Sequence, residues 1–280
     1  MRLSGFPGLM RPVNALVAGL SGALGYLVAT GTIIPGVAWI ILTVILVTGA
    51  GNALNDYCDA GIDRINRPDR PIPSGRVQKH QALVFAALLF IAGICTSLLT
   101  NLFCVLIAVF NSILLIAYAV RLKSTPGIGN VAVAYLSGSI FLFGGALAGL
   151  PGLEMNLPLF LITFLATLAR ELLKDAEDVE GDSASGARTL PILAGVKPVS
   201  YLASVCGCVA VLASIIPFGR FGLWYLLAIA PVDALIMYAC MRSVSCRDPE
   251  CVRKSGSTSL LKTGMFAALA VFCGAAVLLQ

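Results

Sequence analysis

The sequence predicts an all-α membrane protein of about nine transmembrane helices, and three observations support that prediction. Hydrophobic residues make up 58% of the 280 positions, and charged residues only 12%. The mean hydropathy of +0.93 is higher than that expected of a soluble globular protein. Apolar runs long enough to cross a hydrocarbon layer of roughly 30 Å also recur along the whole chain.

The nine predicted helices follow one another with connections of very unequal length. They are expected near residues 12–31, 36–54, 81–99, 102–120, 128–149, 157–174, 198–216, 221–241 and 261–279. The first run follows a short basic segment and lacks a convincing small-residue cleavage site, so we expect an anchor that stays in the mature protein. Connections of a few residues, around Gly31–Pro35, Thr100–Asn101 and Pro217–Arg220, alternate with longer ones. The second and sixth runs end in acidic residues and precede the longest loops, where function usually resides.

The basic residues predict how these helices cross the membrane. If the N-terminus is cytoplasmic, the outside loops hold a single base, Arg220, and a single acid, Glu154. The inside loops then hold Arg64, Arg67, Arg70, Arg76, Lys79, Arg121, Lys123, Arg188, Lys197, Arg242, Arg247, Arg253, Lys254 and Lys262. The positive-inside rule therefore predicts a multi-pass protein of the cell membrane with its N-terminus in the cytoplasm and its C-terminus outside.

Two acidic segments share one spacing, at 52–63 and at 171–182. Each places polar residues at offsets of 0, 4, 7 and 11, which lie on one face of a helix. The first stripe is Asn52, Asp56, Asp59 and Asp63, and the second is Glu171, Asp175, Asp178 and Asp182. The stripes begin 119 residues apart, which suggests a four-helix pseudo-repeat within a single integral membrane domain over 1–280.

The matched stripes favour a divalent-metal site on the cytoplasmic face. Solvated loop charges are the alternative, but such charges rarely repeat at matched spacing. Magnesium takes oxygen ligands and is commonly held by one or two carboxylates together with substrate phosphates, so two stripes suit a diphosphate bridged by Mg²⁺. Each stripe is followed by arginine, which binds phosphate oxygens. After the first stripe, the Arg-Pro pairs predict an extended segment that presents Arg67, Arg70 and Arg76.

These segments resemble a known family. Asn55-x3-Asp59-x3-Asp63 and Asp178-x3-Asp182 resemble the paired aspartate motifs of the UbiA superfamily, nine-helix intramembrane enzymes that move an isoprenoid chain from its diphosphate to an acceptor. The segments NDYCDAGIDRINRPDRPIPSGR and RELLKDAEDVEGDSASGARTLPI are most similar to those of the archaeal digeranylgeranylglyceryl phosphate synthase family. That resemblance implies geranylgeranyl diphosphate as donor, geranylgeranylglyceryl phosphate as acceptor and Mg²⁺ as cofactor.

The residue pattern and the resemblance together predict roles for individual residues. Asp59, Asp63, Asp178 and Asp182 are the expected catalytic carboxylates. The expected metal site comprises Asn55, Asp56, Asp59, Asp63, Asp175, Asp178 and Asp182. Residues expected to bind substrate are Asn52, Arg67, Arg70, Arg76, Tyr118, Lys123, Lys174 and Arg188, with Arg76 and Arg188 as candidates for an acceptor phosphate. No general base is assigned.

Other functions remain open at this stage. A prenyltransferase of the same superfamily acting on an aromatic or tetrapyrrole acceptor would have the same metal site. A membrane transporter would also carry intramembrane acids, although here they gather at one face. A CDP-alcohol phosphotransferase fits poorly, because its Asp-Gly-x2-Ala-Arg motif is absent. Cys246 and Cys251 lack nearby partners for a zinc site. No nucleic-acid partner is expected, and the sequence predicts no oligomeric state.

Overall fold

The computed structural model describes residues 5–184 and 186–278, and these residues form helices joined by turns, without strands. The helices are α1 Phe6–Met10, α2 Pro12–Thr30, α3 Val37–Asn66, α4 Lys79–Ser97, α5 Leu102–Val120, α6 Ile128–Ala146, α7 Gly149–Glu177, α8 Val179–Ala184, α9 Leu190–Ala194, α10 Val196–Ala213, α11 Phe218–Ser243, α12 Pro249–Ser255 and α13 Ser257–Leu278. Within the described residues, nine of these helices are long and apolar enough to span a membrane. The predicted all-α class with about nine spanning helices is confirmed.

Two of the spanning helices are longer than their apolar runs. Helix α3 continues to Asn66, although the predicted run ends at residue 54, and α7 covers Gly149–Glu177 instead of 157–174. The extra turns of α3 are polar, so hydropathy alone does not detect them, yet their acids lie on one face and leave the helical backbone bonds intact. In α7, most of the extra length lies at the N-terminus, over 149–156. The loop after α3 runs only from 67 to 78, so it is shorter than the stretch of more than twenty residues between the predicted helices at 36–54 and 81–99.

The chain divides into two compact units. The first comprises Met1–Leu122 and Ile140–Met155. Its centre is α3, which packs against α2, α4 and α5. A buried apolar cluster under the loop at 67–78 includes Leu9, Leu54 and Val77. The short connection between α4 and α5 is fixed by Asn101, whose side-chain amide donates to the carbonyl of Ala146 at 2.7 Å and whose oxygen caps α5.

The second unit comprises Lys123–Ser139 and Asn156–Gln280. Here α11 packs against α10 and α13. The connection from α11 to α12 is closed by a disulfide between Cys246 and Cys251, so these two thiols are not available together as zinc ligands. The short helices α8 and α9 lie between α7 and α10 in the chain, and α8 carries Asp182, the last residue of the second acidic stripe.

Candidate active site

The first acidic stripe lies entirely on α3, as the offsets predict. The side chains of Asp56 and Asp63 are 4% and 6% exposed, so both carboxylates are buried. Asn52, Asn55 and Asp59 are half-buried on the same helix. Because a buried carboxylate requires a compensating charge or hydrogen bonds, this face of α3 must have cationic or hydrogen-bonding partners.

Two arginines supply that compensation. Arg70 Nη1 lies 2.6 Å from Asp63 Oδ2 and 3.2 Å from Asp56 Oδ1, so one guanidinium bridges two members of the stripe. Arg11 Nη2 lies 2.7 Å from the same Asp56 oxygen. The sequence predicts Arg70 as a substrate ligand, but no local pattern indicates Arg11, which precedes its partner by 45 residues. Both arginines are only partly exposed, at 34% for Arg11 and 18% for Arg70.

Two asparagines on α3 differ in their hydrogen bonding. Asn52, expected to bind substrate, donates from its side-chain amide to the carbonyl of Met10 at 3.0 Å and so ties α3 to α1. Asn55 instead has a buried side-chain oxygen without a hydrogen-bond partner. Such an acceptor is costly unless a ligand engages it. An unpartnered amide oxygen between carboxylates fits the preference of Mg²⁺ for oxygen ligands.

The loop that follows α3 is compact, and the expectation of an extended segment is wrong. Backbone bonds join Arg70 N to Arg67 O, Ser74 N to Arg70 O and Val77 N to Pro71 O, which folds 67–77 into consecutive turns. Pro fixes its own φ and biases its predecessor, but the residues between the prolines remain free to turn. Arg76 donates to Ser74 Oγ and to the carbonyl of Asp69, while Arg67 is exposed.

The second stripe crosses a break between two helices. Glu171 and Asp175 lie on α7, Asp182 lies on α8, and Asp178 lies between them. Helical bonding nevertheless continues, from Asp178 N to Lys174 O at 3.0 Å and from Asp182 N to Asp178 O at 2.9 Å. The stripe therefore retains its common face despite the break.

Neighbouring side chains hold this stripe in place. Asn130 donates to Asp175 Oδ2 at 2.8 Å, a contact that sequence analysis missed, and Arg170 pairs with Glu171 at 2.5 Å. Burial raises the pKa of Asp182 above its ordinary value; Asp178 acts in the same direction, whereas Lys174 opposes it. Lys174 thus acts electrostatically on the second stripe, and its expected role in binding substrate stays a prediction.

The remaining predicted residues occupy the ends of helices. Tyr118 lies in the last turn of α5, Lys123 in a 3₁₀ turn at Leu122–Ser124, and Arg188 is exposed between α8 and α9. Among the described residues, no three His, Cys, Asp or Glu side chains converge on a common metal position. Arginines pair with Asp56 and Asp63 in the first stripe and with Glu171 in the second. Carboxylates on helix faces of this kind suit a metal that is held jointly with substrate phosphate.

Comparison with known proteins gives consistent full-length similarities. Residues 16–270 match the UbiA prenyltransferase family. The chain is 56% identical over 279 residues to the digeranylgeranylglyceryl phosphate synthase of Methanoculleus marisnigri, with 99% of this chain and 100% of the relative covered. It superposes with a TM-score of 0.86, at 36% identity over 99% of both chains, on a solved structure of a digeranylgeranylglyceryl phosphate synthase in membranes. A UbiA homolog from Archaeoglobus fulgidus bound to GPP and Mg²⁺ shares the fold, with a TM-score of 0.62 at 15% identity, over 95% of this chain and 99% of that one.

Proposed function

Because the chain belongs to the UbiA prenyltransferase family, we propose that it transfers a geranylgeranyl group from geranylgeranyl diphosphate to geranylgeranylglyceryl phosphate with the aid of Mg²⁺. The product would carry the second ether bond of archaeal membrane lipid. The observation that carries this proposal is the 56% identity, over 99% of the chain, to a protein named digeranylgeranylglyceryl phosphate synthase. The predicted UbiA-type fold and prenyltransferase class are confirmed by the same similarities.

The donor diphosphate is proposed to bind at the acidic stripes. When bound, Mg²⁺ would neutralise charge on the leaving diphosphate. The residues proposed to hold it are Asn55, Asp56, Asp59, Asp63, Asp175, Asp178 and Asp182. The buried, unpartnered oxygen of Asn55 supports the assignment at the first stripe.

Arg70 is proposed to contact both the first acidic stripe and the donor diphosphate. Its guanidinium bridges Asp56 and Asp63. A guanidinium can exchange carboxylate for phosphate oxygens without changing its charge, and it binds both in the same fork geometry. We therefore expect Arg70 to transfer at least one hydrogen bond from the stripe to the diphosphate when substrate binds, with Arg67, Tyr118, Lys123 and Lys174 taking the remaining oxygens.

Transfer then requires one bond to break and one to form. The C1–O bond to the diphosphate breaks and its electron pair leaves with the diphosphate. The acceptor hydroxyl oxygen bonds to C1, and its proton passes to the released diphosphate or to an aspartate carboxylate. Electrostatic stabilisation of the departing oxygens by fixed cations lowers this barrier. The acceptor carries its own phosphate, for which Arg76 and Arg188 are the proposed ligands.

The site is proposed to open to the cytoplasm. Both acidic stripes lie at helix ends that the distribution of Lys and Arg assigns to the cytoplasmic side of the cell membrane. The isoprenoid chains would remain within or beside the bilayer, while the charged groups react at its surface.

A product assay tests this proposal directly. Purified protein is incubated with Mg²⁺, geranylgeranyl diphosphate and three competing acceptors: geranylgeranylglyceryl phosphate, 4-hydroxybenzoate and a naphthoate. We expect a mass increase of one geranylgeranyl unit on the glyceryl phosphate alone, and its loss with EDTA. Transfer only to an aromatic acceptor would overturn the acceptor assignment, and absence of transfer to any acceptor would overturn the proposed reaction.

A further inference from the structure

The helices that carry the second acidic stripe also carry two glutamates on another face. Glu177 and Glu180 follow Asp175 by two and five residues, which places them roughly opposite the aspartates around the helix. Neither glutamate belongs to the proposed metal site. Both are nonetheless held by side chains from the C-terminal part of the chain.

Two contacts cross from that part of the chain to the glutamates. Thr258 Oγ1, in the first turn of α13, donates to Glu177 Oε1 at 2.7 Å. Arg253 Nη2, near the end of α12, lies 2.8 Å from Glu180 Oε2. The two glutamates flank Asp178, the residue at which the α7 and α8 helices break. The contacts therefore brace the helix on both sides of its break.

The segment that makes these contacts, residues 253–258, is itself rigidly built; we call it the C-terminal corner. Ser255 and Ser257 are buried, and their hydroxyl oxygens lie 2.8 Å apart. Ser257 Oγ also donates to the carbonyl of Ala239 on α11 at 2.8 Å. Gly256, between the two serines, has φ +64°, which permits the sharp turn from α12 to α13. Buried hydrogen bonds of this kind fix the position of the corner relative to α11.

We propose that Thr258 and Arg253 are positioning residues for Asp178 and Asp182. On this inference, which rests on the proposed function, the C-terminal corner holds the broken helix in the orientation that its aspartates need to bind Mg²⁺ with diphosphate. Residues outside a metal's ligand set that orient its ligands commonly affect metal affinity about 10-fold to 100-fold when removed. Here the orientation is transmitted through one helix turn, so we expect an effect at or below the lower end of that range.

The chain offers closely matched variants for the test. Thr258→Val removes the hydroxyl but keeps the shape, and Thr258→Ser keeps the hydroxyl. Thr263→Val is the control, because the exposed Thr263 lies on the same helix and bonds only to its own helix at Ser259 O. For the ion pair, Arg253→Gln is compared with Lys254→Gln, since Lys254 pairs with Glu250 inside α12.

Two measurements separate positioning from general damage. The first is a titration of Mg²⁺ in the presence of inorganic diphosphate, in which the thermal unfolding midpoint is measured without turnover. It gives the Mg²⁺ concentration at which half of the maximal stabilisation is reached. The second is the Mg²⁺ dependence of prenyl transfer, with kcat at saturating Mg²⁺. We expect Thr258→Val to raise the half-saturating Mg²⁺ concentration about threefold to tenfold in both assays, with kcat within about twofold of wild type. Thr258→Ser and Thr263→Val should match wild type.

The exposed pair should give a smaller effect. Arg253 and Glu180 side chains are 48% and 72% exposed, so Arg253→Gln should raise the half-saturating concentration only about twofold relative to Lys254→Gln. The exposure of Arg253 makes this variant informative even if Thr258→Val does not fold. Identical Mg²⁺ dependence of Arg253→Gln and Lys254→Gln would count against the ion pair.

The inference fails if Thr258→Val and Thr263→Val share one Mg²⁺ dependence, or if Thr258→Val lowers kcat at saturating Mg²⁺ without shifting half-saturation. Failure of the proposed function has a different result. Wild-type protein would then be stabilised by Mg²⁺ and diphosphate but would transfer no prenyl group to geranylgeranylglyceryl phosphate.

Discussion

Buried carboxylates on α3 are held by arginines from two directions. Asp56 accepts from Arg11 and Arg70, and Asp63 accepts from Arg70. Removing one partner of a buried ion pair is more costly than removing an exposed one, because the remaining charge stays desolvated. Arg11 therefore contributes to stability although it lies far from the motif in sequence.

Replacing Arg11 with Gln should destabilise the ligand-free protein. Asp56 would keep only the longer bond to Arg70, and the loss is expected to be about 1–3 kcal/mol. The measurement is the thermal unfolding midpoint in detergent without Mg²⁺. Arg64→Gln removes the same charge from an exposed position on α3 and should change stability by less than about 0.5 kcal/mol. Equal midpoints for the two variants would show that the contact of Arg11 with Asp56 is energetically unimportant.

Replacing Asp59 or Asp178 with Ala should abolish prenyl transfer while the protein remains folded in membranes. Each removes a proposed Mg²⁺ ligand, and we expect kcat to fall on the order of 100-fold or more. Product formation is measured by mass spectrometry at saturating Mg²⁺. Asp69→Ala is the control, since Asp69 is exposed in the loop after α3. Substantial residual activity in either Asp59→Ala or Asp178→Ala would remove that residue from the metal site.

The sequence predicts the carboxylates of the two stripes, but it does not predict most of the side chains that contact them. The spacing of Asp56, Asp59 and Asp63 follows from helix geometry, so a local pattern was enough. Arg11 and Asn130 each contact an acid 45 residues away, and no local periodicity relates such positions. Thr258 and Arg253 contact their glutamates from 81 and 73 residues away.

At the scale of helices, hydropathy determines which segments span but not where they end. The apolar run of α3 ends near residue 54, while the helix continues to Asn66 because its acids share one face. The break at Asp178 has no comparable sequence cue, since no proline or pair of glycines marks it. The two stripes are therefore similar in sequence but different in structure. The first lies on one unbroken helix, α3, and the second is divided between α7 and α8.

Close helix packing in the first unit depends on glycine. A Cβ added to Gly144 on α6 would lie 1.9 Å from the carbonyl oxygen of Gly22 on α2. Small residues permit such backbone approach in membrane helices. Gly144→Ala should therefore force the helices apart and destabilise the protein by about 1–3 kcal/mol, as overpacking does.

The matched control for that substitution is Gly61→Ala on α3. A Cβ there meets nothing within 4 Å, and Ala favours the helix more than Gly does, so stability should rise or stay unchanged. Thermal unfolding of both variants in the same detergent is the measurement. A Gly144→Ala midpoint equal to that of Gly61→Ala would mean that the contact between α2 and α6 relaxes without cost.

For the whole molecule, the unequal distribution of Lys and Arg predicts that both acidic stripes face the cytoplasm. Both acidic stripes lie at the ends of spanning helices instead of at their midpoints, as expected if charged substrate groups react at the surface while isoprenoid chains stay in the bilayer. A transporter would instead place its acids near the midplane. The orientation itself follows only from the positive-inside rule and remains a prediction.

Cysteine labelling tests this orientation with two exposed positions. In a variant whose nine native cysteines are replaced, Ser74→Cys marks the loop after α3 and Gly219→Cys marks the first turn of α11. A Cβ at Gly219 meets nothing within 4 Å, so that substitution should be tolerated. We expect a membrane-impermeant maleimide to label Gly219→Cys in intact spheroplasts and Ser74→Cys only after permeabilisation. The reverse pattern would place the aspartate stripes outside the cell, where the cytoplasmic pool of prenyl diphosphate could not reach them, and the proposed reaction would then require a different source of donor.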